Sequence, residues 1–237
     1  KISLQRLNPI LHSTNIERKI TNLPITEIQL NSVSFFYNQE KMVLNNITYS
    51  FKSGQKYVIF GQSGSGKTTL IMLLASFLKP KKGSIAYYSN DTLIDSNPDI
   101  SYLIQDDFLF DDTIRNNIKI SNPEIQDDYL ECIIEDCLLK NVEKSLDYKS
   151  IGENGCKISG GERKRVQLAQ ALARTSASII IFDELSSSLD SKSFDIIMSN
   201  IQKYLSNKIS IFIEHNTSYN YSNFTRLTIN DGKLYYD

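Results

Sequence analysis

The sequence predicts an α/β fold on a parallel core sheet, and three observations carry that prediction. The short apolar strand "KYVIF" (56–60) runs through a glycine-rich loop into "GKTTLIMLLASFL", a helix apolar nearly all round. Later, helix 160–174, strand "SIIIF", a helix around 191–205 and strand "ISIFI" repeat the strand–helix rhythm of a parallel sheet. Between the two, residues 111–150 turn polar and helical, with Asp and Asn at capping positions, and read as an inserted helical lobe.

Taken in order, residues 1–24 form an arm. "SLQRLNPILHST" has helical spacing that Pro9 interrupts, and "TNLPI" is a linker. A second unit, 25–237, begins where "EIQLNSVSFF" alternates like a half-buried strand, with "NNITYSF" able to pair beside it. "ISYLI" (100–104) is another core strand, and the helical part covers about 106–175. "RLTIN-DG-KLYYD" ends the chain as a hairpin with an Asp-Gly turn.

Composition narrows the function classes. The 237 residues are 41% hydrophobic and 22% charged, an ordinary globular balance. Lys and Arg number 26 against 27 Asp and Glu, so no basic excess marks a nucleic-acid partner. Three cysteines, Cys132, Cys137 and Cys156, fit neither a paired disulfide framework nor a CxxC metal site, and a reducing compartment is expected. The opening stretch lacks a signal-peptide pattern, and no apolar run approaches the roughly 18 residues needed to span a bilayer. The chain is therefore expected to be soluble, whether alone or as a piece of something larger.

Residues Gly61-Gln62-Ser63-Gly64-Ser65-Gly66-Lys67-Thr68 match G-x-x-x-x-G-K-[ST] without a mismatch. Such a loop wraps a phosphate in inward N–H groups, and the following helix adds its positive end. Lys67 can reach the β- and γ-phosphates, and the Thr68 hydroxyl can ligate Mg²⁺. The strand "SIIIFDE" ends in Asp183, placed to hold Mg²⁺ through water, and Glu184, placed to polarise an attacking water. A nucleotide with Mg²⁺ is thus the expected ligand.

A second helix start, "GCKISGGERKRV" (155–166), has two readings. Ser159-x-x-Glu162 is a capping box, with Arg163, Lys164 and Arg165 as a solvated basic face. The pair Gly160-Gly161 is not needed for capping, though, and permits close approach by something else. A helix start with exposed N–H groups is half of a phosphate site, which a second copy placed head to tail would complete.

"ISGGE" (158–162) resembles the signature motif of ATP-binding cassette (ABC) proteins, usually written LSGGQ. Other stretches resemble the family in order. Gln105 resembles its Q-loop glutamine near Mg²⁺, "SSLD" to Asp190 its D-loop, His215 its γ-phosphate-touching switch histidine, and Tyr37 its adenine-stacking aromatic. "FLFDDTIRNNI" and "IGENG", with Glu153, look like the exporter branch, and the arm resembles the join from a last membrane helix. The resemblance covers nearly everything from Glu27 on.

It implies a P-loop NTPase fold: a RecA-like parallel core with an antiparallel β subdomain and an inserted α-helical subdomain. It also implies an ATPase of the exporter type. ATP would lie between Gly61–Thr69 of one copy and Ser159, Gly160, Gly161, Glu162 and Asp190 of another, with Glu184, His215, Lys67 and Gln105 as the catalytic set. The metal ligands implied are Thr68, Gln105 and Asp183. Partners implied are a second cassette, most simply an identical one, and membrane domains on the cytoplasmic side of a cell membrane, with no nucleic acid. The Asn- and Ile-rich composition hints at an AT-rich bacterial genome, and peptide or bacteriocin export is the guess that goes with it. A soluble ABC ATPase acting on nucleic acid or ribosomes is the alternative. Four departures stand out: Glu162 for Gln, Ile158 for Leu, Ile104 for the proline that often precedes the Q-loop, and Glu214 where Thr or Ser is commoner. None removes a phosphate donor, so an active site is expected.

Overall fold

Two sheets frame the computed structural model, which describes residues 20–21, 23–37, 41–104, 108–215 and 221–236. Strands β1 (Glu27–Phe36) and β2 (Met42–Lys52) pair antiparallel, with Ile28 opposite Phe51 and Leu30 opposite Tyr49. After β3 (Lys56–Phe60) and helix α1 (Lys67–Leu74), β4 (Lys82–Ser89) and β5 (Thr92–Ile94) complete this sheet in the order β2-β1-β4-β5. Strand β6 (Ile100–Leu103) then leads to a lobe of α2 (Ile114–Lys119), α3 (Asp127–Asp136), α4 (Lys140–Ser145) and α5 (Gly160–Ala173). The chain continues through β7 (Ile179–Asp183), α6 (Ser191–Asn200), α7 (Gln202–Leu205), β8 (Ile209–Glu214), β9 (Thr225–Asn230) and β10 (Lys233–Tyr236). The second sheet has the order β10-β9-β3-β8-β7-β6, parallel throughout except for the closing β10 hairpin.

This sheet is buried on both faces, as its near-continuous apolar strands require. Ile179, Ile181, Ile209, Ile211 and Ile213 point into one core with α1 and the first sheet. Ile180, Phe182 and Phe212 point into the other, shared with α5, α6 and the lobe. The two strands end side by side, with Asp183 opposite Ile213, and the period of two sets Asp183 and Glu214 on opposite faces of that sheet end. The lobe is tied to the sheet through α5: Ser101 Oγ donates to Ala171 O at 2.7 Å, and Gln170 Nε2 to Asn117 O at 3.0 Å. Asn117 is itself fully buried, and its amide donates to Phe110 O and Thr113 O while accepting from Phe110 N. One side chain thus folds the "FLFDDT" segment back onto α2.

Three sequence expectations shift. Helix α1 ends at Leu74, because Ser76 takes φ 56° and both Phe77 N and Leu78 N turn back to Met72 O. The helix expected around 191–205 is two pieces that meet at Ile201. The β4–β5 hairpin was not anticipated; it turns on Asn90 and Asp91 at φ 45° and 64°. Pro9 and most of the arm lie outside the described residues, as does Gln105; Thr21 N, at the arm's end, donates to Asn97 O at 2.9 Å. The three cysteines are unpaired, as their spacing implied.

Candidate active site

The phosphate loop joins the C-terminal end of β3 to α1, at the sheet edge where β7 and β8 also end. Gly66 caps α1 at φ 109°, and a Cβ there would lie 2.7 Å from Leu44 Cδ2, so only glycine lets the loop close against β2. No side chain caps this helix, and Leu70 N makes its first regular bond to Gly66 O at 2.9 Å. The donors of the first turn are left to whatever the loop surrounds. Lys67 curls back, its Nζ 2.7 Å from Gly61 O and 3.0 Å from Gln62 O. Burial pulls the Lys67 pKa down, while Glu184 and Asp183 oppose the shift.

A cleft of about 360 Å³ opens over this loop. Ser63, Gly64, Gly66, Lys67, Thr68 and Thr69 form its floor; Tyr37, Val43, Asp183, Glu184, Ile213 and His215 line the rest. Tyr37 stands at the rim, 62% exposed, with its edge against Phe35 and its hydroxyl 3.3 Å from Thr69 Oγ1.

Asp183 ends β7 half-buried. Tyr102 OH donates to its Oδ2 at 3.0 Å, and Lys164 Nζ, from the buried side of α5, donates to its carbonyl at 3.1 Å. Burial raises the Asp183 pKa; the Tyr102 hydrogen bond opposes that, Glu184 adds to it, and Lys164 and Lys67 oppose it. Glu184 follows in the left-handed region, φ 50° and ψ 51°, an uncommon place for a side chain of its size. Its backbone is held from both sides: Glu184 N donates to Ile213 O at 3.0 Å, and Ser187 N and Oγ donate to Glu184 O. This twist aims the carboxylate across the strand end to His215, whose Nε2 lies 2.8 Å from Glu184 Oε1. On the other side of the ring Nδ1 faces Lys67 Nζ at 3.5 Å. The ring thus stands between a carboxylate and an ammonium.

The residues fit a magnesium nucleotide. Among the described residues no cluster of three or more His, Cys, Asp or Glu is arranged to hold a metal alone. Thr68 and Asp183 offer hard oxygen donors beside the phosphate loop, which is the sparse protein share that Mg²⁺ takes when phosphates supply the rest.

The second helix start is built differently. Ser159 caps α5 in a complete capping box, with Glu162 N donating to Ser159 Oγ and Ser159 N to Glu162 Oε2 at 2.7 Å. The Ser159 hydroxyl donates to the same carboxylate at 2.9 Å. The close approach that Gly161 permits is made within the same chain: a Cβ there would sit 2.9 Å from Ser188 O, on the turn Leu185–Ser188. Gly160 meets only the tip of Arg163, at 3.8 Å. Asp190 caps α6, accepting from Ser193 N at 2.9 Å. None of Ser159, Gly160, Gly161, Glu162 and Asp190 is among the residues lining the cleft. Glu153, in the 3-10 turn Glu153–Gly155, lies beside Asn154, whose N donates to Leu109 O at 3.0 Å and ties the "IGENG" segment to "FLF".

Sequence reasoning missed two residues here. Tyr102 and Lys164 both bond to Asp183, across 81 and 19 positions. Lys164 was assigned to a solvated face, yet it is 3% exposed.

Comparison with known proteins identifies a family. Residues 44–187 match the family model described as ABC transporter. The chain is 33% identical over 232 residues to the leukotoxin export ATP-binding protein LtxB of Aggregatibacter actinomycetemcomitans, covering 92% of this chain and 32% of that one. It is 34% identical over 217 residues to the microcin-J25 export ATP-binding/permease protein McjD of Escherichia coli, covering 88% and 36%. The chain thus spans about a third of the length of these relatives. Its structure superposes on a bacterial Atm1-family ABC exporter with ATP bound at a TM-score of 0.82, with 26% identity over 98% of this chain and 43% of the other. With the phosphate loop, signature helix start and Asp183–Glu184–His215 cluster in place, the chain belongs to the ABC transporter family.

Proposed function

We propose that the chain is the ATP-hydrolysing cassette of an exporter, working as a head-to-tail pair on the cytoplasmic side of a membrane. One observation carries the reading: Lys67, Thr68, Asp183, Glu184 and His215, drawn from three separate stretches of sequence, line a single cleft over an uncapped helix start. The triphosphate lies along Gly61–Thr69, with Lys67 turning from the loop carbonyls to the β- and γ-phosphates. Tyr37 stacks on the adenine. Thr68 and Asp183 would hold Mg²⁺, with Gln105 as the further ligand the family pattern implies; the ion's chemistry is to neutralise charge on the phosphate oxygens. Glu184 takes the proton of the attacking water, and His215 orients Glu184 through Nε2 while facing the transferred group.

Ser159, Gly160, Gly161, Glu162 and Asp190 complete the site of the opposite copy. Their position away from the chain's own cleft supports that division of labour. Residues 1–24 join the cassette 25–237 to membrane domains, and the lobe of about 106–175 faces them. No helix among the described residues is long and apolar enough to cross a membrane, so in this reading the spanning segments belong to other parts of the transporter. Relatives named for leukotoxin and microcin-J25 export favour a peptide or protein cargo. The test is steady-state phosphate release by E184Q. A loss of at least about a hundredfold is expected, at the scale of removing a group that acts in the transition state; turnover at the native rate ends the proposal.

A further inference from the structure

We propose that Glu214 is a positioning residue for hydrolysis, bracing the catalytic Glu184 through Ser186. The inference rests on the reading of Glu184 and His215 given above. Glu214 ends β8 immediately before His215, and it is 1% exposed. A buried carboxylate costs several kcal/mol in desolvation unless donors surround it. Here three donors converge. Ser186 N donates to Oε1 at 3.2 Å, Tyr221 OH donates to Oε1 at 2.9 Å, and Ser186 Oγ donates to Oε2.

The placement of these bonds matters more than their number. Ser186 lies two residues after Glu184, inside the turn Leu185–Ser188. The end of β8 and that turn are therefore joined at three successive points: Ile213 O to Glu184 N, Glu214 to Ser186, and His215 to Glu184 Oε1. The middle link is the side-chain link with no part in the chemistry. It fixes the segment that keeps Glu184 in the left-handed region, a conformation that persists only where its surroundings over-determine it. Tyr221 anchors the far side of the carboxylate. It is fully buried among Phe60, Phe194, Phe212 and Phe224, so the brace ends in the aromatic core and not in solvent.

Steady-state ATP hydrolysis separates this role from a merely structural one. The amide of E214Q can keep Oε1 toward Ser186 N and Tyr221 OH while its NH₂ donates to the Ser186 hydroxyl. E214A offers neither acceptor. The expected result is a roughly tenfold lower kcat for E214A with KM for ATP within twofold, and recovery of most of that loss in E214Q. S186A removes one bond and keeps the carboxylate; it should lower kcat about threefold at unchanged KM, and it carries the test if E214A does not fold. The proposal is overturned by a folded E214A, or in its absence S186A, with native kcat. It is equally overturned if KM rises in step with the loss of kcat, or if E214Q falls as far as E214A. E184Q is run alongside: native turnover there would bring down the reading of the site, whereas an inactive E184Q beside an unaffected E214A would remove the brace alone.

Discussion

The chain has two glycine-bearing helix starts that look alike in sequence and are finished in opposite ways. At α1 the cap is Gly66, the first turn carries no acid, and the nearest charge is the Lys67 ammonium. At α5 the cap is Ser159, and Glu162 fills the first turn, accepting from Ser159 N and from its hydroxyl. The first end leaves its donors and its charge to a ligand. The second spends part of its own, Glu162 N on Ser159 Oγ, and already carries a carboxylate, which accepts from Ser159 N. In the proposed reading, affinity for nucleotide is intrinsic to α1 and conditional at α5, where an incoming phosphate would meet the Glu162 carboxylate.

The largest effect that can break this comparison is the mass of E184Q with and without Mg-ATP, measured by light scattering. A shift from monomer to dimer only with nucleotide is expected; a monomer in both conditions would mean either that pairing needs the membrane tether or that Ser159–Glu162 is chiefly a helix cap, and the same measurement on the tethered full-length transporter decides between them. Next in size is G161A in the E184Q background. Its Cβ overlaps Ser188 O at 2.9 Å, and relieving that overlap costs about 1–3 kcal/mol. Pairing should weaken about tenfold, read from the protein concentration at half-dimer, with ATP affinity of the monomer unchanged.

E162Q sharpens the comparison from the other side. The amide oxygen can still accept from Ser159 N, but the favourable negative charge at the helix start is lost, at about 0.3–1 kcal/mol. A slightly lower Tm together with pairing at severalfold lower concentration is expected. Equal pairing would mean that the carboxylate is no obstacle.

The smallest effect belongs to Glu214. Burial pushes its carboxyl above the usual glutamate range, against the opposing donors Ser186 and Tyr221. The folded state therefore holds the proton more tightly than the unfolded chain, and this group's contribution to stability falls as pH rises from the ordinary glutamate range through the raised value. The Tm of the native chain relative to E214Q should decline over that window, and parallel Tm–pH curves would contradict it.

What the sequence revealed depended on how local the signal was. The phosphate loop, the strand ending in Asp183 and the Asp231-Gly232 hairpin are contiguous, and each was read where it stands. The β4–β5 hairpin escaped because Asn90-Asp91 reaches positive φ without the glycine that usually marks such a turn. Lys164 looked solvated beside Arg163 and Arg165, since only the rotation of α5 against β7 reveals which of three adjacent cations faces inward. Glu214 was visible as an odd residue before His215, but its partners lie 28 positions back and 7 ahead, and no spacing rule joins them.

Lys164 also bears on how the molecule can bend. Its ammonium bonds to the Asp183 carbonyl, and Ala171 O, seven residues further along α5, accepts from Ser101 on β6. Two fastenings about 10 Å apart along one helix leave it little freedom to pivot on the sheet. Although α5 is the last helix of the lobe in the chain, it belongs mechanically to the sheet, as an axle belongs to its frame. A swing of the lobe would be carried by α2, α3 and α4 turning about α5, with the Asn117–Gln170 bond as the bearing between them.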